Sequence, residues 1–184
     1  MRKDLVLENK LTMINNSLHQ IIDIWISELD HYDFEQLKAK PAENSWSLGQ
    51  MYMHLIGATK HFLQQAGISL KTNENEHEKM TERAEPMFKN NQFPDAILEG
   101  PESNAYTPQP HTKEAIIESL KELQKEIYSL EELLAKNAMK GKTKHPGLGF
   151  FNGREWVRFA EMHFRHHLRQ KKRIDLFLKK ADRF

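Results

Sequence analysis

The chain reads TKEAIIESLKELQKEIYSLEELLAK over residues 112–136. Apolar residues recur there at spacings of three and four, at Ile116, Leu120, Leu123, Ile127, Leu130 and Leu134. This spacing places them on one face of an α-helix, between flanks that are rich in Glu and Lys. Thr112 predicts the helix start, because a threonine hydroxyl can accept a hydrogen bond from a free backbone N–H of the first turn. The segment therefore predicts an amphipathic helix that packs against other helices.

Two earlier segments show the same periodicity. The first predicted helix covers roughly residues 4–30, with apolar positions at Leu11, Ile14, Leu18, Ile21, Ile22, Trp25 and Leu29. The second is predicted to begin at Ser47, because Gln50 follows at the spacing of a capping box, in which each side chain bonds the other residue's backbone N–H. Its apolar positions are Leu48, Met51, Leu55, Ala58, Phe62 and Ala66. Gly67 predicts the end of this helix through a left-handed glycine.

The C-terminal region predicts a fourth helix that extends to about Lys180, and Asn152 with Glu155 repeats the capping spacing at its start. A long connection precedes the third helix, from about Lys71 to His111. Prolines interrupt it at Pro86, Pro94, Pro101, Pro108 and Pro110. Because a structureless segment of this length is uncommon in a compact domain, we expect short helical turns around Glu76 to Lys89. The segment predicts a crossover, with a lid over a functional site as the alternative.

These segments predict an all-α fold, a four-helix bundle with one long crossover between helices 2 and 3. The composition agrees, since 20 Leu and 12 Ile accompany only 2 Val, whereas sheets favour β-branched residues. The length of 184 residues predicts a single domain over residues 1–184.

Charge and cysteine content exclude several classes of function. Lys and Arg number 27 and Asp and Glu 26, so the net charge of +1 favours neither nucleic acid nor an anionic membrane as a partner. No apolar run approaches the roughly 18 to 20 residues of a membrane span, and the N-terminal sequence lacks the apolar stretch of a secretory signal. We therefore expect a cytoplasmic protein that acts on a small molecule. Because the chain has no cysteine, protein ligands to a metal must be His, Asp or Glu.

Two histidines occupy the predicted inward face of the fourth helix. That face consists of Trp156, Ala160, His163, His167, Gln170, Ile174 and Phe177. His163 and His167 stand one turn apart, so both rings can reach one ion, and buried imidazoles require either a metal or a hydrogen-bonded core cluster. His54 lies beside the inward face of the second helix and is the candidate third ligand. Three neutral imidazoles suit Zn, Ni, Fe or Mn and leave positions for water or substrate.

Other polar residues near these histidines have weaker expected roles. His166 is turned about 100° from His167 around the helix, which predicts a place behind the ligands or at the surface. His61, two turns after His54, either lines the cavity mouth or is exposed. Gln170 either orients a ligand or a bound water, or makes a helix–helix hydrogen bond. The remaining histidines are expected in solvent, namely His19, His31, His77, His111 and His145.

Two motifs carry a resemblance to a known family. W-S-x-x-Q-x-x-x-H stands at Trp46 to His54, and H-P-x-L-G, a Trp and H-x-x-H-H-x-x-Q follow in order from His145 to Gln170. In both, the chain resembles the DinB/YfiT-like superfamily. The resemblance implies a four-helix bundle, often dimeric, in which one divalent metal is bound by a histidine of the second helix and two of the last. By that motif the ligands are His54, His163 and His167.

The resemblance implies several chemistries. Members include thiol-dependent enzymes, such as bacillithiol S-transferases and mycothiol-dependent isomerases, and others described as metal-dependent hydrolases. The favoured hypothesis is an S-transferase in which the metal lowers the pKa of a low-molecular-weight thiol cosubstrate. The alternative is metal-assisted hydrolysis at the same ligands. Glu43, Glu155 and Glu161 lie near helix ends or ligands, but none has the spacing of a general base, so the catalytic residues stay unassigned.

A third hypothesis is a non-catalytic interaction protein that binds through a basic C-terminal helix. That helix carries Arg165, Arg169, Lys171, Lys172, Arg173, Lys179, Lys180 and Arg183. Such a stripe could contact phosphate, but cations late in a helix also complement its dipole and form a solvated face, which is the favoured interpretation. We therefore expect no nucleic-acid partner. A homodimer is expected from the family resemblance alone.

Overall fold

The computed structural model describes residues 18–94 and 106–181. The predicted start of the first helix, with Leu11 and Ile14, lies outside the described residues. So do Pro101 in the crossover and Arg183 at the C-terminus.

The described chain is predominantly helical, as the sequence predicts. Helix α1 is described over residues 18–28 and continues into a short 3-10 helix at Leu29–His31. The other helices are α2 (Phe34–Lys38), α3 (Leu48–Ser69), α4 (Ala84–Asn90), α5 (Lys113–Lys136) and α6 (Gly153–Ala181). Two short antiparallel strands, β1 (Thr143–His145) and β2 (Gly149–Phe151), lie between α5 and α6. None of the described helices is long and apolar enough to cross a membrane.

Buried residues of α1, α3, α5 and α6 belong to one apolar core, and α3 contacts both α5 and α6. Trp25 of α1 is fully buried and joins three of them. Its indole Nε1 donates to the carbonyl oxygen of Phe164 in α6 at 3.3 Å, and the Tyr52 hydroxyl of α3 donates to the Trp25 carbonyl oxygen at 2.7 Å. Gln124 of α5 donates to Asp23 of α1 at 2.8 Å.

The predicted helix starts are confirmed by side-chain caps. Ser47 and Gln50 form both bonds of a capping box, and Thr112 accepts from the backbone N–H of the first turn of α5. The Asn152 side chain accepts from the Glu155 N–H at 2.9 Å. The end predicted at Gly67 is wrong, since α3 continues to Ser69 and no left-handed glycine stops it.

The crossover contains the short helix that was expected, α4. The β-hairpin after α5 was not predicted, because strands of three residues leave no periodic signal. The hairpin is tied to the crossover, since Thr81 N–H donates to the Leu148 carbonyl at 2.9 Å and Phe150 N–H to that of Lys79 at 3.1 Å. Gly149 permits this close approach, because its φ of 84° lies in the left-handed region and Lys79 leaves no space for a Cβ.

Candidate metal centre

Helices α3 and α6 bring together the three histidines that the sequence nominated. His54 lies in the second turn of α3, while His163 and His167 lie one turn apart on α6. The Nε2 atoms of His54 and His163 are 3.1 Å apart, and those of His163 and His167 are 3.0 Å apart. One ring nitrogen from each of the three residues lies within 4.8 Å of the others. The three imidazoles therefore converge on one point.

The environment keeps all three rings neutral. His163 and His167 are buried and His54 is half-buried. Burial lowers the pKa of His54 to about 4 and that of His167 to about 3, with smaller contributions from the other histidines. Burial also holds the pKa of His163 well below 6.5. Neutral imidazole is the form that ligates metals, so no proton has to be displaced at neutral pH.

Hydrogen bonding among the rings does not explain their convergence. Each neutral ring carries one proton, and the Nε2 of His163 faces both other Nε2 atoms at hydrogen-bond distance. If that atom accepts from both neighbours, the proton of His163 lies on Nδ1, which is buried without a partner in the described structure, as is the Nδ1 of His167. If the Nε2 of His163 instead carries the proton and donates to one neighbour, it has no lone pair left to accept a hydrogen bond from the other.

A divalent cation fits the arrangement better. Zn–N bonds of about 2.0–2.1 Å in tetrahedral geometry place ligand nitrogens about 3.3 Å apart, within a few tenths of an ångström of the two distances seen here. A cation would accept all three Nε2 lone pairs at once. The residues present therefore fit a tri-histidine metal site.

Aromatic side chains surround the converging rings. The Trp46 ring centroid lies 4.7 Å from that of His54. Phe62 and Phe93 lie 5.6 and 6.0 Å from the His163 ring. These rings give the three histidines an apolar environment of low local dielectric. Phe93 was missed in the sequence because it lies in the crossover, where no periodicity identifies buried positions.

His166 does not join the converging rings. It is buried beside His167, and Arg169 NH2 lies 3.1 Å from its Nδ1. Because arginine can only donate, Nδ1 is the acceptor in this contact, and the Gln170 amide nitrogen lies 3.1 Å from His166 Nε2. Gln170 thus bonds within α6 and not to another helix in this contact. His61 is exposed, its ring lies 6.3 Å from that of Trp156, and it is not one of the three histidines whose nitrogens lie within 4.8 Å of one another.

Two histidines expected in solvent are placed differently. His145 is half-buried, and its ring lies 5.6 Å from Phe151 and from Trp156. Burial lowers the pKa of His145 to about 4. His19 pairs with Glu131 at 3.4 Å, and this hydrogen bond raises the pKa of His19. The sequence could not show either burial, because both residues face elements that are distant in the chain.

The expected exposed histidines are found at the surface. They are His31, His77 and His111.

The solvated basic face predicted for the last helix is wrong for Lys171. Its side chain is 4% exposed, and its Nζ lies 2.7 Å from a Glu28 oxygen, 3.0 Å from Asp175 Oδ2 and 2.5 Å from the Tyr32 hydroxyl. Burial favours the neutral amine, but hydrogen bonds with Glu28, Tyr32 and Asp175 outweigh it and raise the pKa of Lys171. Lys171 is therefore part of a paired internal cluster.

Two arginines of the basic helix also form hydrogen bonds within the protein. Arg165 donates to Glu161 at 2.7 Å and to the Asn91 carbonyl at 2.6 Å. Arg169 donates to the carbonyl of Phe93 at 3.2 Å. Both arginines thus hold the crossover segment that carries Phe93. The exposed basic residues on the described part of α6 include Lys172, Arg173, Lys179 and Lys180.

None of the three carboxylates considered from the sequence is placed as a base at the histidines. Glu43 is exposed, and Glu161 binds Arg165. The Glu155 carboxylate accepts from the Asn152 N–H at 2.8 Å, and burial raises the pKa of Glu155. The general base stays unassigned.

Comparison with known proteins gives a family match. The sequence model of the DinB superfamily matches residues 18–170, which include the three converging histidines and the hairpin. No curated protein and no solved structure matches the chain. The match covers most of the sequence and contains both motifs that carry the three histidines. The chain belongs to the DinB superfamily.

Proposed function

We propose that this protein is an enzyme with one divalent metal ion, Zn, Ni, Fe or Mn, bound by the Nε2 atoms of His54, His163 and His167 in a four-helix bundle. The observation that carries the proposal is the convergence of three neutral imidazoles that hydrogen bonding leaves unexplained. Three neutral ligands leave the charge of the cation uncompensated by the protein. Among aromatic rings, this charge favours an anionic ligand at the open position.

The reaction that we propose is transfer of a low-molecular-weight thiol to an electrophilic small molecule. A divalent cation at this site would lower the pKa of the thiol and favour its thiolate. The sulfur then forms a bond to an electrophilic carbon of the substrate, whose leaving group departs with the bonding electrons. Trp46, Phe62 and Phe93 would keep the nucleophile desolvated and exclude competing water.

One observation favours thiol transfer over hydrolysis. Metal-dependent hydrolases commonly place a glutamate beside the metal to take a proton from water. Within the described residues, no Asp or Glu oxygen joins the group of histidine nitrogens that lie within 4.8 Å of one another, and Glu155 and Glu161 bind Asn152 and Arg165 instead. A thiol needs less assistance, because its pKa is far below that of water.

Metal analysis tests the centre itself. Untagged wild-type protein should contain about one divalent ion per chain by elemental analysis, and His54→Ala, His163→Ala and His167→Ala should each remove it while the helical circular dichroism is retained. His77→Ala is the matched control, because His77 is an exposed histidine on another part of the chain. Wild-type protein that stays metal-free after incubation with Zn, Ni and Mn would contradict the proposal.

Activity assays separate the two chemistries. The metal-loaded protein should consume 4-nitrobenzyl chloride only when bacillithiol or cysteine is supplied, and His163→Ala should abolish this activity. Hydrolysis of 4-nitrophenyl acetate without thiol, lost in the same variant, would instead identify the alternative, a metal-dependent hydrolase.

A further inference from the structure

The converging histidines are bordered by an aromatic wall, which consists of Trp46, Phe62 and Phe93. The two phenylalanines both contact His163, whereas Trp46 contacts the two other histidines. Its ring centroid lies 4.7 Å from that of His54 and 6.4 Å from that of His167, and the planes of Trp46 and His167 are only 25° apart. In the part of the chain that the structure describes, Trp46 is the only ring other than a histidine that contacts His54 or His167.

The His54 ring depends on packing to hold its orientation. The ring is half-buried, and the χ2 torsion that turns a histidine ring is broad and roughly two-fold. In metal sites this rotation is usually prevented by a hydrogen bond from the second ring nitrogen to a protein group. Among the described residues, the hydrogen-bond contact of the His54 ring is that of its Nε2 with His163, and its Nδ1 has no protein partner. Ring packing is therefore the contact left to fix His54.

The backbone on both sides of Trp46 is fixed. Ser47 is the N-cap of α3 and forms a capping box with Gln50. On the other side, the Ser45 hydroxyl accepts from the Ala42 N–H and donates to the Ala42 carbonyl oxygen, both at 2.8 Å. The loop therefore presents the indole to the histidines from a defined position.

A purely structural role for Trp46 would impose a weaker requirement. Trp46 directly precedes the N-cap residue, where an apolar side chain often packs against the fourth residue of the helix, here Met51. Leucine or methionine can satisfy that requirement, whereas packing against the face of the His54 ring requires an aromatic side chain. Substitution can therefore separate the two roles.

We propose that Trp46 is a positioning residue of the metal centre, whose indole holds the imidazole of His54 with Nε2 towards the cation. This inference rests on the proposed function, because it requires that a divalent cation binds at the three histidines. Trp46 acts through His54, the one ligand that α3 contributes. The situation of Phe93 differs, because Phe62 also contacts His163, whereas loss of Trp46 leaves His54 without any ring of the wall.

Zn is the probe, and its Kd for the metal-free protein is measured by competition with a chromophoric chelator. Trp46→Leu keeps an apolar residue before the cap but removes the ring. It should weaken Zn binding about tenfold to a hundredfold, the range for loss of a group that orients a metal ligand. Trp46→Phe keeps an aromatic ring and should retain most of the affinity. Phe34→Leu is the matched control, because Phe34 is also a half-buried ring at a helix start but lies against Lys38, and it should bind Zn as wild type does.

Urea unfolding of the metal-free variants separates positioning from folding. We expect Trp46→Leu and Trp46→Phe to unfold at similar midpoints, although only Trp46→Leu loses affinity for Zn. Unchanged Zn affinity in Trp46→Leu would overturn the proposal, as would an equal loss in Trp46→Phe. Trp46→Met, which also carries an apolar side chain without a ring, decides the question in the same way if Trp46→Leu does not fold.

Failure of the metal proposal would give a different result. If wild-type protein does not bind Zn, the metal centre is wrong and the role of Trp46 falls with it. If wild type binds Zn, His163→Ala does not, and Trp46→Leu binds as tightly as wild type, the metal centre stands and only the role of Trp46 is overturned.

Discussion

The Nε2 atoms of His54 and His163 lie 3.1 Å apart although 109 residues separate them in the sequence. This contact exists only when α3 packs against α6, so the complete ligand set belongs to the folded state. In the unfolded chain only His163 and His167 stay near each other, because just four residues of sequence separate them. A cation that binds all three rings must therefore stabilise the native fold over the unfolded chain.

Metal addition should raise the melting temperature. A ligand specific for the folded state contributes about 2.7 kcal/mol at a free concentration one hundred times its Kd. Thermal unfolding of metal-free protein, followed by circular dichroism with and without Zn, measures this shift. His163→Ala should show no shift and His77→Ala the full one. A comparable rise in His163→Ala would place the stabilising ion elsewhere.

Acidification should destabilise the metal-free protein, partly through His145. Its pKa is about 4 in the folded protein and about 6.5 when unfolded, so below pH 6.5 the unfolded chain binds more protons. The stability is thus complete above pH 6.5 and decreases as the pH falls towards 4. Between pH 7 and pH 5 this one group should cost about 1–2 kcal/mol.

Urea unfolding at pH 7 and pH 5 measures that loss, and His145→Phe should reduce it by the same amount. The exposed His77 offers the comparison, since His77→Phe should leave the pH dependence as in wild type. An identical pH dependence in His145→Phe would show that the ring is equally protonated in both states.

The long helices and the three histidines were predictable because their signals are local. The apolar repeat before Leu134 and the cap at Ser47 each depend on residues within one or two turns. His163 and His167 share a face by helical geometry alone, His54 lies beside the inward face of the second helix, and the family motif names the same three residues. The sequence could therefore nominate the site before its helices were placed.

The remaining features depend on contacts between distant elements. Phe93 lies beside His163 because Arg165 and Arg169 donate to the backbone carbonyls of Asn91 and Phe93. No periodicity in the crossover sequence indicates that Phe93 is buried. Lys171 cannot be told from its exposed basic neighbours in the sequence, but in the structure it forms an ion pair with Glu28 of α1. His145 is buried by a hairpin whose strands are too short to predict. Phe93 was therefore not identified from the sequence, and Lys171 and His145 were wrongly predicted in solvent, because distant elements supply their contacts.

Removing the buried cation Lys171 should be costly. Lys171→Met leaves Glu28 and Asp175, both partly shielded from solvent, without their common partner, and breaking such a pair costs about 3 kcal/mol. The adjacent Lys172→Met removes the same charge from an exposed position and should change stability by less than about 0.5 kcal/mol. Urea unfolding at pH 7 measures both. Equal effects in the two variants would show that the internal cluster contributes no net stability.

Truncating Phe93 should lower stability and leave the metal content unchanged. Its side chain is 5% exposed and packs on Phe159 and His163, so Phe93→Ala should cost about 3 kcal/mol through lost burial and a residual cavity. Leu133→Ala is the control, because Leu133 is 58% exposed and should change stability little. The cavity would admit water beside His163, while the three ligands remain. Metal content should therefore stay near that of wild type, and urea unfolding should show the loss in Phe93→Ala alone. Loss of the metal together with an unchanged unfolding midpoint would contradict the assignment of Phe93 to the wall and indicate direct participation in ordering the ligands.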